Sequence, residues 1–553
     1  MLSGFNPETI QDLAGARQAI AALLNLVETL KQENQELRAE VQRLRDEINR
    51  LKGEQGKPEI KADKAKDHSS EKERRQPKGW HKGNKIDRIV IHREQKLYVD
   101  KNELPEDAQF KGYEETVVQD IRLTTDNVCF VKEKYYSPSQ RRTYIAPLPA
   151  GYEGEFGPGV RALILTLSYA SGMTEPKIEE FLGHIGVSIS AGQVSNLLIK
   201  NQAAWHDEKN AVWRAGLASS DWQHIDDTST RVNGENQHCH VVCNPLYSAY
   251  FTRPGKDRLT LIHLLQGGAT VELLLNEQTP VWLNLFKTPL WAQRMIATWP
   301  QNQVLTRTEM EALLTRDAAS LNDQQQARIL EAAALTAYRT QDDMPLLLTL
   351  ISDDAPQFQY ITAYQALCWI HEGRHYKKLT PFVDYHRQLL EGFQKQFWAF
   401  YQQLQSYQEH PSPPEADRLR GEFDMLFSKT TGYEALDLRI AKTLAKKDRL
   451  LTVLDQPQLP LHNNPAELAA RQRVRKRDIS FGPRTQDGVA AWDTFMTLSE
   501  TAKKLGVSFY AYIHDRISGD RCLPSLASLI QQRSVSELPQ PAQHRSHLST
   551  TLY

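Results

Sequence analysis

The sequence predicts an α/β protein whose strand-and-helix core carries helical insertions and follows a long N-terminal helix. Three observations predict it. A seven-residue repeat runs through residues 20–51. Three short strand-like runs, Trp222 to Thr228, His238 to Cys243 and Tyr247 to Thr252, are separated by turn residues and followed by a helix from Asp257 to Leu265. Further on, Pro345 to Ser352 is a continuous apolar run suited to a buried strand, and Ala366 to His371 reads as a second.

The repeat comes first in the chain. Ile20, Val27, Asn34, Val41 and Ile48 recur every seven residues, and Leu23, Leu30, Leu37, Leu44 and Leu51 follow each by three. Branched residues at a and leucine at d favour a parallel two-stranded coiled coil, and a single polar residue at a, Asn34, fixes register and dimer state. Glu33, Glu40 and Glu47 at g face Arg38, Arg45 and Lys52 at e across such a seam. Residues 1–52 are therefore expected to form a homodimeric leucine zipper.

Residues 53–92 lose their apolar residues and read as a basic flexible linker. Arg74, Arg75 and Lys78 sit in its densest part beside Trp80, and such a segment can either track a DNA backbone or remain solvated. Residues 93–150 alternate apolar and polar, as in Lys96 to Val99 and Val128 to Val131, and predict a small β-rich module. Residues 151–210 turn helical. Pro176 to Ile185, a turn at Gly186 and a helix capped by Ser190 have helix-turn-helix spacing. The span 211–520 holds the strand runs, with helical insertions expected at about 268–340 and 378–455. Residues 521–553 read as a disordered tail.

Bulk properties narrow the function. With 67 Lys+Arg against 68 Asp+Glu, only local clustering of charge can speak for nucleic acid. The five cysteines are sparse, as in a reducing compartment, and no apolar leader or membrane-length run is found. A soluble cytoplasmic protein without a membrane partner is expected.

Three acids stand out on this scaffold. Asp226 lies in the first strand run, Asp353 directly follows the buried one, and Glu467 lies on the helix that opens at Pro465. Two carboxylates at strand ends and one on a helix could hold hard divalent cations for phosphoryl transfer, although acids at strand ends are commonly just solvated. Asp227 and Asp354 adjoin them and compete for the same role. Past Glu467 the run Arg471, Arg473, Arg475, Lys476 and Arg477 calls for an anion nearby, and a DNA phosphate is the expected one, the alternative being a solvated basic helix face. His238, Cys239, His240 and Cys243 look like a metal cluster, but strand alternation sends the cysteines to one face and the histidines to the other.

Around the acids the sequence resembles the bacterial insertion-sequence transposases of the class numbered sixty-six. The matching blocks are His224-Ile225-Asp226-Asp227-Thr228, Ser352-Asp353 leading to Cys368-Trp369-Ile370-His371, and Asn463-Asn464-Pro465-Ala466-Glu467, with Lys476-Arg477-Asp478, Phe481 and Ala511-Tyr512-Ile513 beyond. The resemblance covers roughly residues 155–265, 350–376 and 460–517. It implies an RNase H-like core with Asp226, Asp353 and Glu467 as catalytic and metal-binding triad, Mg²⁺ or Mn²⁺ as cofactor, and Cys368, His371, Asn463 and Asn464 as supporting residues. It also implies double-stranded DNA as partner, both terminal inverted repeats and target, with accessory transposition proteins as further partners. The alternatives are a structure-specific nuclease on the same fold and a dimeric DNA-binding repressor. The sequence departs from the pattern at His462 and Leu468, which replace Asp and Arg. The family's paired N-terminal cysteines are also missing: only Cys129 falls in residues 53–215, so no zinc is expected there.

Overall fold

The computed structural model describes residues 12–51 and 89–537, apart from 101, 103, 106, 153, 268, 269, 342 and 343. Arg74, Arg75, Lys78 and the linker around them, as well as residues 538–553, lie outside the described residues.

The heptad segment forms one helix, α1 (Leu13–Leu51). Its apolar stripe faces outward, with Leu23, Leu30, Leu37, Leu44 and Leu51 all exposed. The β-rich expectation for residues 93–150 is corrected: among the described residues there, the strands are those of a single hairpin, β1 (Lys134–Ser137) and β2 (Arg142–Ile145). Lys96 to Val99 and Val128 to Val131 have no strand partners, and Leu97 and Val131 stand in solvent. Alternation alone does not make a sheet when no neighbouring strand buries its apolar face.

Four helices follow: α2 (Pro158–Leu165), continued by a π turn to Ala170, then α3 (Glu175–His184), α4 (Ala191–Ile199) and α5 (Ala203–Ala218). Ser190 caps α4 through a reciprocal capping box with Gln193, as the sequence suggests.

The central sheet holds β3 (Trp222–Val232), β4 (Glu235–Cys243), β5 (Ser248–Arg253), β8 (Thr349–Ser352) and β9 (Tyr364–Leu367), in the order β5-β4-β3-β8-β9. The first three are antiparallel, while β3, β8 and β9 run parallel. Asn233 and Gly234, both at positive φ, make the two-residue turn between β3 and β4. After α6 (Arg258–Leu265), capped by Asp257, the insertion contains β6 (Leu273–Leu274), α7 (Thr279–Leu285), α8 (Leu290–Ile296), β7 (Val304–Leu305), α9 (Arg307–Asp317) and α10 (Asp323–Thr340). It shares the main hydrophobic core with the sheet and with α2 to α5.

Two strand expectations are corrected. The run Pro345 to Ser352 becomes strand only from Thr349. The second run stops at Leu367, because Cys368 caps a helix, α11 (Trp369–Lys377). Then α12 (Asp384–Glu409), α13 (Pro413–Phe427), α14 (Glu434–Leu444) and α15 (Lys447–Leu450) build a separate aromatic core around Trp369, Phe397 and Phe423. The chain returns to the sheet as α16 (Asn464–Ser480) and α17 (Gln486–Lys504), followed by α18 (Phe509–Ser518) and α19 (Leu526–Glu537). Helix α19 corrects the expected tail: Leu526 and Ile530 are fully buried. Among the described residues no helix is long and apolar enough to cross a membrane.

Candidate active site

Sheet register brings the acids together. In the parallel pair of β3 and β8, His224 lies opposite Ile351. Extending that register by two residues sets Asp226 level with Asp353, at the point where β8 ends. Helix α16 packs across β3 and β4 and carries Glu467 in its first turn. Asp226 registers the crowding: burial first, then the charges of Glu467 and Asp353, push its carboxyl up to about 8. Burial likewise raises Asp353, which accepts from Ala355 N at 3.0 Å. The adjoining acids are engaged elsewhere. Asp227 accepts from Gln357 Nε2 at 3.0 Å, and Asp354 contacts the Lys446 ammonium. His375 and Lys446 hold the Asp354 carboxyl far below the usual range.

A small set of buried contacts fixes this geometry. Asn463, ahead of α16, donates from Nδ2 to the Ile225 carbonyl at 2.7 Å, so its Oδ1 is left to face His224 Nδ1 at 3.0 Å. Burial drives His224 down to about 3, so its ring is neutral, and Nδ1 carries the proton that Oδ1 accepts. The Asn463 backbone N–H in turn donates to Cys368 Sγ at 3.2 Å, and the same sulfur accepts from His371 N. Asn463 and Cys368 thus tie together the strand of Asp226, the helix of Glu467 and the start of α11. Asn464 opens α16 and is half-buried. His371 faces both Asp353 and Asp354.

Arg374, which sequence reasoning missed, lies one turn beyond Ile370 and makes a two-point ion pair with Glu467, at 3.0 and 2.8 Å. Lys446, also missed, comes from the helical insertion, and no local motif marks it. His375 could have been found: His371-Glu372-Gly373-Arg374-His375 sets two histidines one helical turn apart. Among the described residues, the group whose ligand atoms lie within 4.8 Å of one another is Asp354, His371 and His375 rather than the three expected acids.

The cationic run after Glu467 divides. Arg471 and Arg475 are exposed, and Arg477 is bonded to Asp478 and to the Ser229 carbonyl. Arg473 and Lys476 point the other way, into the core. Arg473 is fully buried, donating to Thr252 Oγ1 at 2.8 Å and lying 3.5 Å from Asp493, while Lys476 donates to the Ser168 carbonyl at 2.8 Å. Neither is free to meet a phosphate, which corrects the expectation for these two: on α16 they share a stripe with buried Ala466, Ala469 and Ala470. On β4, Cys239 and Cys243 are buried, and His240 bonds the Gly255 carbonyl. They form no metal cluster among the described residues.

A family model described as "Transposase IS66 family" matches residues 153–273 and 349–491, the segments that carry the sheet and the three acids. The chain is also similar to "Uncharacterized protein y4jO" of Sinorhizobium fredii (strain NBRC 101917 / NGR234), 31% identical over 321 residues, which is 58% of this chain and 99% of that protein.

Proposed function

The chain belongs to the IS66 transposase family, and from that premise we propose that it is a DNA transposase that cuts and rejoins element ends at Asp226, Asp353 and Glu467. One observation carries the site assignment: the register of β3 and β8 sets Asp226 level with Asp353 beside the helix-borne Glu467, and burial together with the charges of the other two acids lifts Asp226. Such a set of hard oxygen donors fits Mg²⁺ or Mn²⁺, and a cation there would relieve the repulsion. When bound, a pair of these ions would activate the attacking oxygen and stabilise the leaving one.

The remaining residues have positioning roles. Asn463, Cys368 and His224 hold β3, α11 and α16 in mutual register, and Arg374 orients Glu467. Arg471 and Arg475, exposed on the helix of Glu467, would receive a DNA phosphate. Water attacks the phosphodiester at the element end and frees a 3′-hydroxyl, which then attacks a target phosphodiester. The strand order, three antiparallel strands joined to a parallel pair through β3, supports an RNase H-like core. The outward stripe on α1 supports pairing of two copies through Leu23, Leu30, Leu37, Leu44 and Leu51, with Asn34 setting register. The α3–α4 pair and the linker are the further DNA contacts in this reading.

The test incubates purified protein with labelled terminal-repeat DNA, taken from the flanks of its gene, and Mg²⁺ or Mn²⁺. Joining of the cut 3′ end to target DNA is expected, with Asp226→Asn, Asp353→Asn and Glu467→Gln each inactive. Hydrolysis without joining would make the protein a nuclease. End binding without cleavage would make it a repressor.

A further inference from the structure

Helix α11 carries His371-Glu372-Gly373-Arg374-His375, so the two histidines lie at i and i+4 on one face. Their rings meet edge to face, with centroids 4.8 Å apart. Asp354, just past the end of β8, presents Oδ1 at 3.7 Å from His371 Nε2 and 3.9 Å from His375 Nε2. Both separations are too long for hydrogen bonds. They lie near the spacing of neighbouring ligands around one ion, roughly 3.3 Å for tetrahedral bonds of about 2.0 Å. His375 Nε2 is buried and has no hydrogen-bond partner, so the protein leaves a lone pair or proton there unsatisfied.

We propose that Asp354, His371 and His375 bind one first-row divalent transition-metal ion of the zinc class, at a site separate from the neighbouring carboxylates. Two imidazoles with one carboxylate favour Zn²⁺, Co²⁺ or Fe²⁺ over Mg²⁺, whereas the all-oxygen triad prefers the harder ion. The two sites therefore sort by ion. The surroundings are built to orient the ligands. The Lys446 ammonium occupies Asp354 Oδ2 and leaves Oδ1 toward the rings, and Glu372 Oε2 steadies that ammonium at 3.2 Å.

The histidine spacing is that of zinc hydrolases, in which the glutamate after the first histidine activates water. That chemistry is ruled out by where Glu372 goes. It is buried and committed to Arg439, Lys446 and Thr443, so neither oxygen is directed at the histidine pair. The ion instead fastens α11 to the end of β8. Because α11 also carries Arg374, the same ion sets the position of Glu467 relative to Asp353.

The test titrates chelator-stripped, full-length protein with Zn²⁺ in excess Mg²⁺ by calorimetry, and with Co²⁺ by visible absorption. About one equivalent per chain is expected, with Co²⁺ bands of a nitrogen–oxygen site. Asp354→Asn and His375→Asn should each weaken uptake at least about tenfold. Circular dichroism checks that each variant is folded. No stoichiometric uptake by the wild type, or undiminished uptake in both folded variants, overturns the proposal. Neither result bears on strand transfer, so the transposase reading stands or falls separately.

Discussion

Arg374 reaches from α11 to α16 and grips Glu467 at both oxygens, Nη1 to Oε1 at 3.0 Å and Nη2 to Oε2 at 2.8 Å. Both side chains are mostly shielded from water. Arg374→Ala leaves Glu467 facing two other acids with no counter-charge. The metal-free fold should lose about 1–3 kcal/mol, read by urea unfolding. Arg374→Lys restores the charge without the fork and should fall between. Equal stability of Arg374→Ala and wild type would show the pair to be energetically idle.

Asp226 makes metal-free stability depend on pH. Its folded carboxyl titrates at about 8, against about 3.9 in an unfolded chain. Between those values the folded state binds the extra proton. The contribution of Asp226 is therefore fully present below about pH 4 and is lost as pH rises through 8. The urea midpoint of chelated wild type should drop between pH 5 and 8.5 by more than that of Asp226→Asn. Mn²⁺ at pH 8.5 should raise the wild-type midpoint and leave the variant nearly unmoved. Parallel pH profiles of the two proteins would contradict the assignment.

Helix α1 is docked as well as exposed. Glu28, turned away from the apolar stripe, accepts from Phe382 N at 2.6 Å and Val383 N at 3.0 Å and meets His386, so it caps α12 from another element. Asn25 exchanges two hydrogen bonds with Gly432 and Glu434. Glu28→Ala should speed amide exchange at residues 382–386, while sedimentation still reports a dimer. Loss of the dimer in that variant would mean that docking, rather than the apolar stripe, pairs the chains.

What could be read in the sequence follows the physics of each segment. The strands of β3 to β5 were legible because alternation coincides with the Asn233-Gly234 turn, and α4 and α6 because Ser190 and Asp257 cap them. The start of α11 was not. Ala366 to Ile370 is apolar throughout, and a cysteine cap has no strong sequence signature. Residues 93–150 show alternation without partners. Asp226, Asp353 and Glu467 were picked out by their flanking blocks, but Arg374 reaches Glu467, and Lys446 reaches the adjoining Asp354, through tertiary contacts that local pattern does not encode. The stripe Ala466, Ala469, Ala470, Arg473 and Lys476 does have helical spacing, yet its two charges disguise a buried face.

That buried face separates two classes of cation on one helix. Arg473 has no exposure, lies over the Trp492 ring at 4.7 Å and bonds Thr252, whose hydroxyl and amide also engage Asp493. Removing it strands the Asp493 charge in the core, so Arg473→Ala should cost about 3–5 kcal/mol or prevent folding. Arg471 and Arg475 are exposed, and their double replacement by Ala should change stability by less than about 0.5 kcal/mol. Its effect is expected on DNA binding instead. Each lost phosphate contact lowers the slope of log K against log salt by about one, so the double variant should lose up to about two units. Arg473→Met, which keeps much of the volume, tests the core role alone. If it folds and its slope matches wild type, Arg473 touches no phosphate. A stable Arg473→Ala with a reduced slope would reverse the division and return the buried arginine to the DNA.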